Sequence, residues 1–146
     1  MAKPDPALLD PARYPYSCEI PTRFGDLDVN QHVNNAAMVS LYEDARVRYH
    51  AASGYHAAMG AAGITSMVAS CTLEYLGQAW YPEPIAFHVG AAQLGRTSYL
   101  LLQLARQGER VIGFSSATMV CVRDGKATPI PDLFRDSVKP WMFRNV

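Results

Sequence analysis

Six polar side chains that can take part in catalysis are concentrated in the segment from Gly25 to Asn35. They comprise two acids, one histidine and three amides: Asp26, Asp28, Asn30, His32, Asn34 and Asn35. The segment precedes a stretch with helical periodicity, and a helix N-terminus offers unpaired N–H groups and a positive dipole to a developing oxyanion. A carboxylate a few residues upstream can activate water or attack an acyl carbonyl directly. The segment therefore contains the groups needed to hydrolyse a thioester, which requires no metal because a thiolate leaves readily.

The same residues also have a purely structural interpretation. Asp28 can close a turn, the asparagines can cap a helix and His32 can pack locally. Taken one residue at a time, this structural interpretation is favoured. The combination favours a catalytic role, because a helix needs a single capping residue and this segment brings these six polar side chains together.

The elements that would position these groups follow from the spacing of apolar residues. Asn34 or Asn35 is a suitable N-cap for a helix, and Gly54 is a suitable stop. The apolar residues of this helix are predicted to face the core, and Met38 and Tyr42, near its start, are also candidates for lining an acyl pocket. The apolar residues at intervals of three and four, which predict this one long helix, are Met38, Leu41, Tyr42, Ala45, Tyr49 and Ala52.

Most of the remaining chain alternates apolar and polar residues with a period of two, which predicts strands that bury one face. The predicted strands cover residues 14–24, 66–76, 85–91, 100–104 and 111–122. Short connections between the last four strands predict an antiparallel meander. The order of elements therefore predicts an α+β fold in which a five-stranded antiparallel sheet packs against the long helix. The short helical segment LFRDSV near the end is expected to lie across the outside of the sheet.

Length and composition limit the protein to a few classes. Its 146 residues have the size of one domain; we assign residues 1–13, which contain three prolines, to an extended arm and residues 14–146 to a single domain. Thirteen basic and thirteen acidic residues give a formal net charge of zero, so no basic field exists for binding nucleic acid or an anionic membrane. No apolar run approaches the roughly 18 residues that a membrane span needs.

No metal or other cofactor is expected. Cys18, Cys71 and Cys121 lack CxxC spacing, and the remaining histidines lack ligand spacing, so we predict neither a disulfide nor a metal site. No apolar h-region follows Lys3, which predicts a cytoplasmic location. The predicted sheet keeps an unpaired edge, and pairing of this edge with a second copy predicts a homodimer or a dimer of dimers.

The stretch TRFGDLDVNQHVNNAAMVSLYEDAR, residues 22–46, resembles the hot-dog-fold thioesterases, and the resemblance extends over most of the chain. It implies a hot-dog fold, in which a five-stranded antiparallel sheet wraps around one central helix. Asp28 falls where the 4-hydroxybenzoyl-CoA thioesterase type carries its catalytic aspartate, and Asn35 falls where that type uses a backbone N–H to polarise the thioester carbonyl. The run DLDVNQHVNN also looks like the plant acyl-ACP thioesterases, in which the residues matching Asp28, Asn30 and His32 are assigned to the active site.

Departures from these families affect the expected mechanism. Gln31 stands where many bacterial members have glycine. Gln78 and Ala79 stand where the plant enzymes carry an acid and a cysteine that are discussed as catalytic, which favours a simple carboxylate mechanism over a cysteine nucleophile. Arg96, in the turn LGRTS, resembles basic residues that contact the nucleotide phosphates of coenzyme A in the family, although a solvated turn arginine is an equally good interpretation.

The resemblance implies an acyl-CoA thioesterase, with a substrate on an acyl carrier protein as the less favoured alternative. Asp28 would act as base or nucleophile, and the N–H of Asn35 would stabilise the oxyanion. His32 and Asn30 would orient water or Asp28. Two other functions stay open: an enoyl-CoA hydratase or dehydratase, whose D-x4-H pattern differs from Asp28-x3-His32, and a non-catalytic acyl-CoA binding protein. The sequence does not indicate which acyl group is bound.

Overall fold

The computed structural model describes residues 3–145 and contains one mixed sheet-and-helix unit. The elements are β1 (Tyr16–Ile20), α1 (Asn35–Ala52), α2 (Tyr55–Ala62), β2 (Thr65–Tyr75), β3 (Ile85–Ala92), β4 (Ser98–Gln107), β5 (Arg110–Arg123), β6 (Lys126–Ala127) and α3 (Asp132–Ser137). The strands pair antiparallel in the order β1-β3-β4-β5-β2, and the two-residue β6 pairs with β5. None of the helices within residues 3–145 combines the length and apolarity that a membrane crossing requires.

The long helix α1 begins where the sequence predicts it. The side chain of Asn34 accepts a hydrogen bond from the N–H of Ala36 at 2.8 Å, which satisfies one of the unpaired donors at the helix start. After the last turn, Gly54 adopts a left-handed conformation with φ of 79°, so the chain can turn away at that point. The predicted apolar stripe is buried from Met38 to Tyr49.

The sheet wraps around α1 and forms the core with it. On β3 the side chains of Ile85, Phe87 and Val89 are fully buried, and they alternate with side chains on the outer face. The ring of Tyr42 on α1 packs edge-on against Phe87, with 5.1 Å between ring centroids. This arrangement confirms the predicted α+β class and the five-stranded antiparallel sheet around one long helix.

The position of β2 differs from the predicted four-strand meander. Only β3, β4 and β5 form a meander, whereas β2 crosses over to pair with β5 at the far edge of the sheet. The predicted buried face of β2 is also largely absent, since Met67 is 58% exposed and Tyr75 is 49% exposed. No strand within residues 3–145 pairs with the outer edge of β2. Alternation along a strand indicates two different faces, but it does not identify which strand is the neighbour.

The segments at both ends of the chain and the segment after α1 are more structured than predicted. The small-residue segment after α1 forms helix α2, which buries Ala58 and Met59. Residues 3–13 contain two 3-10 turns rather than an extended arm, and they pack Leu8 and Leu9 onto the outer face of the sheet. The helix α3 does not lie across the outside of the sheet, because Phe134 is fully buried in the main core.

Gly113 on β5 leaves the space that the buried hydroxyl of Tyr42 occupies. A Cβ atom at this position would lie 2.5 Å from Tyr42 Oη and 3.0 Å from the carbonyl oxygen of Glu74. We therefore predict that Gly113→Ala lowers the free energy of unfolding by about 1–3 kcal/mol, measured by urea denaturation. In a Tyr42→Phe background the same substitution should cost less, because the hydroxyl is gone. An equal cost in both backgrounds would contradict this packing argument.

Candidate active site

The predicted catalytic segment forms a short, closed loop in front of α1. Leu27 and Val33 form an isolated antiparallel bridge at its base. Within the loop, the N–H of Asp28 donates to the carbonyl of His32 at 3.1 Å, and the N–H of Gln31 donates to the carbonyl of Asp28 at 3.0 Å. Gln31 takes the left-handed conformation with φ of 63°, which explains structurally why glycine suits this position. The loop therefore holds Asp28 in a fixed place relative to the helix.

Asp26, the first of the two acids, anchors this loop. Its carboxylate accepts hydrogen bonds from the backbone N–H of Arg23 at 2.9 Å and from Nη2 of Arg23 at 2.8 Å. Its backbone carbonyl accepts from the N–H of Asn34 at 2.8 Å. The hydrogen bonds and charge of Arg23 lower the pKa of Asp26 below its ordinary value. Asp26 is buried and fully engaged, so it is a structural residue.

Asp28, the second acid, faces a cavity of about 180 Å³. The side chain is half-buried, and its Oδ1 atom accepts a hydrogen bond from the N–H of Asn30 at 2.8 Å. That bond orients the carboxylate while the other oxygen, Oδ2, makes no hydrogen bond within residues 3–145. The cavity is bounded by the loop, the start of α1, the end of β2 and the start of β5; its lining includes Asp28, His32, Asn35, Met38, Tyr75 and Ile112.

The first turn of α1 opens into the same cavity. Asn35 is the first residue of the helix, and its N–H donates to no other group in the described part of the chain. Because α1 spans 18 residues, its dipole adds positive potential at this end. Met38, one turn further along, is 4% exposed and closes the bottom of the cavity. Asp28, Asn35 and the apolar side chain of Met38 thus line one cavity.

His32 also lines the cavity, but it does not contact the carboxylate of Asp28 by a hydrogen bond in residues 3–145. Its ring lies edge-on against Trp80, with 4.4 Å between ring centroids. At the opposite wall, the hydroxyl of Tyr75 donates to the carbonyl of Asn35 at 3.4 Å. Neither Tyr75 nor Trp80 was singled out by the sequence, since an aromatic residue at a strand end is also typical of a core.

The structure does not bring the other predicted site residues into this cavity. Asn30 is exposed and acts through its backbone N–H. Tyr42 is buried one turn beyond Met38, outside the cavity lining. Arg96 lies in the turn before β4, where Ser98 pairs with Val120. That pair is eight residues along β5 from the cavity residue Ile112, a distance of roughly 26 Å at the usual strand rise.

No group of three or more metal-ligating side chains that could hold an ion occurs within residues 3–145. The site contains the carboxylate of Asp28 and the N-terminus of α1. Both are groups that acyl transfer uses directly.

A model of the thioesterase-like superfamily matches residues 22–141, and the chain belongs to this superfamily. The probable thioesterase YbaW of Escherichia coli is 25% identical, with 86% of this chain and 98% of that chain covered and a TM-score of 0.78. A thioesterase from Thermus thermophilus, solved with coenzyme A and Zn, is 25% identical over 87% of this chain and 94% of that one, with a TM-score of 0.76. No curated protein sequence matches the chain.

A third solved structure supports the fold alone. The DHNA-CoA thioesterase of Staphylococcus aureus is 19% identical, with 83% of this chain and 86% of that chain covered and a TM-score of 0.72. Together with the superfamily match, these structures confirm the hot-dog fold that the resemblance implied.

The two acids of the loop should respond differently to neutralisation. We predict that Asp26→Asn lowers the free energy of unfolding at pH 7 by about 1–3 kcal/mol, because a buried hydrogen-bonded charge is removed; Asp28→Asn should change it little. The folded pKa of Asp26 is lowered, so its contribution is present above the unfolded pKa of about 3.9 and is lost as the pH falls through the folded value.

Denaturation of the wild type and both variants between pH 7 and pH 3 checks this assignment. The stability difference between wild type and Asp26→Asn should shrink below about pH 4. If Asp28→Asn destabilises the protein as much as Asp26→Asn, the assignment of separate roles is wrong.

Proposed function

We propose that this protein hydrolyses acyl-CoA thioesters at the cavity between the Asp28 loop and the start of α1. The observation that carries this proposal is that Asp28 and Asn35 line the same cavity, and that the N–H of Asn35, at the start of α1, has no hydrogen-bond partner within residues 3–145. Membership of the thioesterase-like superfamily supports the reaction class. The relative that was solved with coenzyme A supports coenzyme A as the carrier of the acyl group.

The thioester carbonyl would lie over the N-terminus of α1, with its oxygen accepting from the N–H of Asn35. As a general base, Asp28 would take a proton from water while the water oxygen attacks the carbonyl carbon. The negative charge that develops on the carbonyl oxygen is stabilised by the N–H and the helix dipole. Collapse of the tetrahedral intermediate breaks the C–S bond, and the thiolate of coenzyme A leaves and is protonated.

Asp28 could instead attack the carbonyl carbon itself. This route expels the thiolate and forms a mixed anhydride, which water then hydrolyses to return the carboxylate. The hydrogen bond from the N–H of Asn30 to Oδ1 leaves Oδ2 available in either route. His32, held against Trp80, would position water at the rim of the cavity.

A second copy of the chain would complete the site. The outer edge of β2 has no strand beside it, and Met67, Val68 and Tyr75 are exposed there. An unpaired edge with apolar side chains favours pairing with another strand, and a two-fold axis would make that pairing antiparallel. The reversed direction brings the Arg96 end of the second copy to the same edge as the Asp28 cavity. This supports Arg96 as a contact for the nucleotide of coenzyme A.

We predict that Asp28→Asn lowers kcat for acyl-CoA hydrolysis by about 10²- to 10⁴-fold, the loss expected when a general base is removed. Release of the free thiol, followed with a thiol-reactive dye over a panel of acyl-CoAs, measures this directly. Asn35→Ala is the matched control: its side chain is replaced but its N–H is kept, so the loss should be much smaller.

Three outcomes of that assay would contradict the proposal. Unchanged activity of Asp28→Asn would exclude the mechanism. Stoichiometric binding of acyl-CoA without turnover by the wild type would indicate a binding protein. Conversion of an enoyl-CoA without thiol release would indicate a hydratase.

We also predict that Ala69→Pro prevents dimer formation, measured by sedimentation velocity. Ala69 lies at an irregularity where β2 has no residue paired with it on β5, between the pairs at Val68 and Ser70. Proline is tolerated at such a bulge but blocks the addition of a new strand. A variant that stays folded and dimeric would exclude β2 as the interface.

A further inference from the structure

A second cavity, of about 350 Å³, lies at the other end of α1. It is enclosed by the second half of α1, the start of α2 and the start of β2. The residues that the argument below uses are Glu43, Arg46, His50, Tyr55, Ser66 and Met67. We call this space the Arg46 cavity; it shares no lining residue with the Asp28 cavity.

The guanidinium of Arg46 is the unusual group in this cavity. Arg46 is only 7% exposed, yet its guanidinium makes a single hydrogen bond within residues 3–145. In this bond Nη1 donates to the amide oxygen of Gln103 at 3.0 Å. Gln103 is fully buried, and its own Nε2 donates to the carbonyl of Tyr42 at 2.9 Å. This second bond fixes the amide so that its oxygen points at the arginine.

A neutral amide does not balance a buried positive charge. No carboxylate in the described part of the chain forms an ion pair with Arg46, and a buried charge without a partner is costly. The Nε and Nη2 atoms of Arg46 make no hydrogen bond there, neither is fully enclosed by protein, and Arg46 lines the cavity. A planar fork of free N–H donors is the geometry that binds a carboxylate through two parallel bonds.

Three polar groups of the wall, on His50, Tyr55 and Ser66, are already paired and neutral. Tyr99 Oη lies 3.0 Å from Nε2 of His50, and burial lowers the pKa of His50 to about 3, so His50 carries no charge at neutral pH. The hydroxyls of Tyr55 and Ser66 are bonded to each other at 2.6 Å. A ligand would therefore meet these paired, neutral groups beside Arg46, the buried cation of the cavity.

Two exposed titratable residues, Glu43 and His56, lie at the margin of the cavity. Glu43 is one turn before Arg46 on α1, close enough for a changed rotamer to reach the guanidinium. An internal ion pair of this kind is the competing explanation for the buried arginine.

The position of the Arg46 cavity along β2 connects it with catalysis. The cavity touches Ser66 and Met67 at the start of the strand, and the Asp28 cavity touches Tyr75 at its end. If two copies of β2 pair antiparallel about the central residue Ser70, Ser66 of one copy lies opposite Glu74 of the other. The Arg46 cavity of one copy then adjoins the Asp28 cavity of the other.

We propose that the Arg46 cavity binds a carboxylate at the far end of the acyl chain whose thioester lies at the Asp28 site of a second copy. The substrate class is thus an ω-carboxyacyl thioester. This inference rests on the function proposed above, and it adds a specificity-determining residue on the opposite subunit.

The inference is tested by measuring thiol release from pairs of acyl-CoAs that have equal chain length, of which only one member carries a terminal carboxylate. One pair is glutaryl-CoA and pentanoyl-CoA, and the series extends to eight carbons. The wild type should favour the carboxylated member of at least one pair by about tenfold or more in kcat/KM. Arg46→Met should remove this preference while keeping hydrolysis of the uncharged member. Arg46→Lys, which keeps the charge but not the fork, should retain only part of it.

Arg48→Met is the matched control. Arg48 is on the same helix but is exposed and paired with Asp44 at 2.8 Å, so its replacement should leave the preference unchanged. An equal preference for both members in the wild type, or a preference that survives in Arg46→Met, would overturn the inference. If Arg46→Met does not fold, the partial loss in Arg46→Lys decides the question.

Direct binding separates this inference from the proposed function. If no acyl-CoA is hydrolysed, the proposed function has failed, and titration with free glutarate by calorimetry then tests the Arg46 cavity alone. Binding to the wild type but not to Arg46→Met would support a carboxylate site. If the wild type does not bind glutarate but Glu43→Gln does, the internal ion pair is identified and the inference is overturned. Glutarate binding by an active enzyme that shows no preference for carboxylated thioesters would also overturn the inference.

Discussion

The contact between the polar loop and the first residue positions of α1 is the constraint on which the site depends. One backbone hydrogen bond makes this contact, from the N–H of Asn34 to the carbonyl of Asp26 at 2.8 Å; a second, from the N–H of Val33 to the carbonyl of Ala79 at 2.8 Å, ties the same segment to the loop after β2. They hold the end of a buried helix against a loop whose carboxylate would otherwise move freely. In the mechanism proposed above a reacting carbonyl contacts both groups at once, so their relative position matters more than either group alone.

Burial of α1 supplies the rigidity that this contact needs. Its inward face is not purely apolar, since Tyr42, Arg46 and His50 are buried among the strands. The chain of bonds from Arg46 through Gln103 to the carbonyl of Tyr42 ties the helix to β4. Polar groups in such positions fix the register of a helix on a sheet more specifically than aliphatic contacts do, at a cost that apolar packing elsewhere offsets.

Local signals in the sequence predict what lies close together along the chain. The N-cap at Asn34, the helix after it and the placing of Asp28, Asn35 and Met38 around one space all depend on residues within a few positions of each other. Alternation likewise predicts most strands. The order of the strands does not follow from alternation, because β2 pairs with β5 across 38 to 57 residues of sequence. For the same reason Tyr75, which closes the cavity from a distant strand, was not predicted, and neither was α2, whose small residues give a weak periodic signal.

The covered outer face of the sheet limits how these molecules can assemble further. Leu8, Leu9 and Phe143 pack there against the cluster of Tyr14, Leu102, Leu104 and Phe114, and the N–H of Arg144 donates to the carbonyl of Arg13 at 2.8 Å. The first and last described segments thus contact each other and cover the middle strands on this face. A second molecule could reach the middle strands from this side only if these two segments moved away.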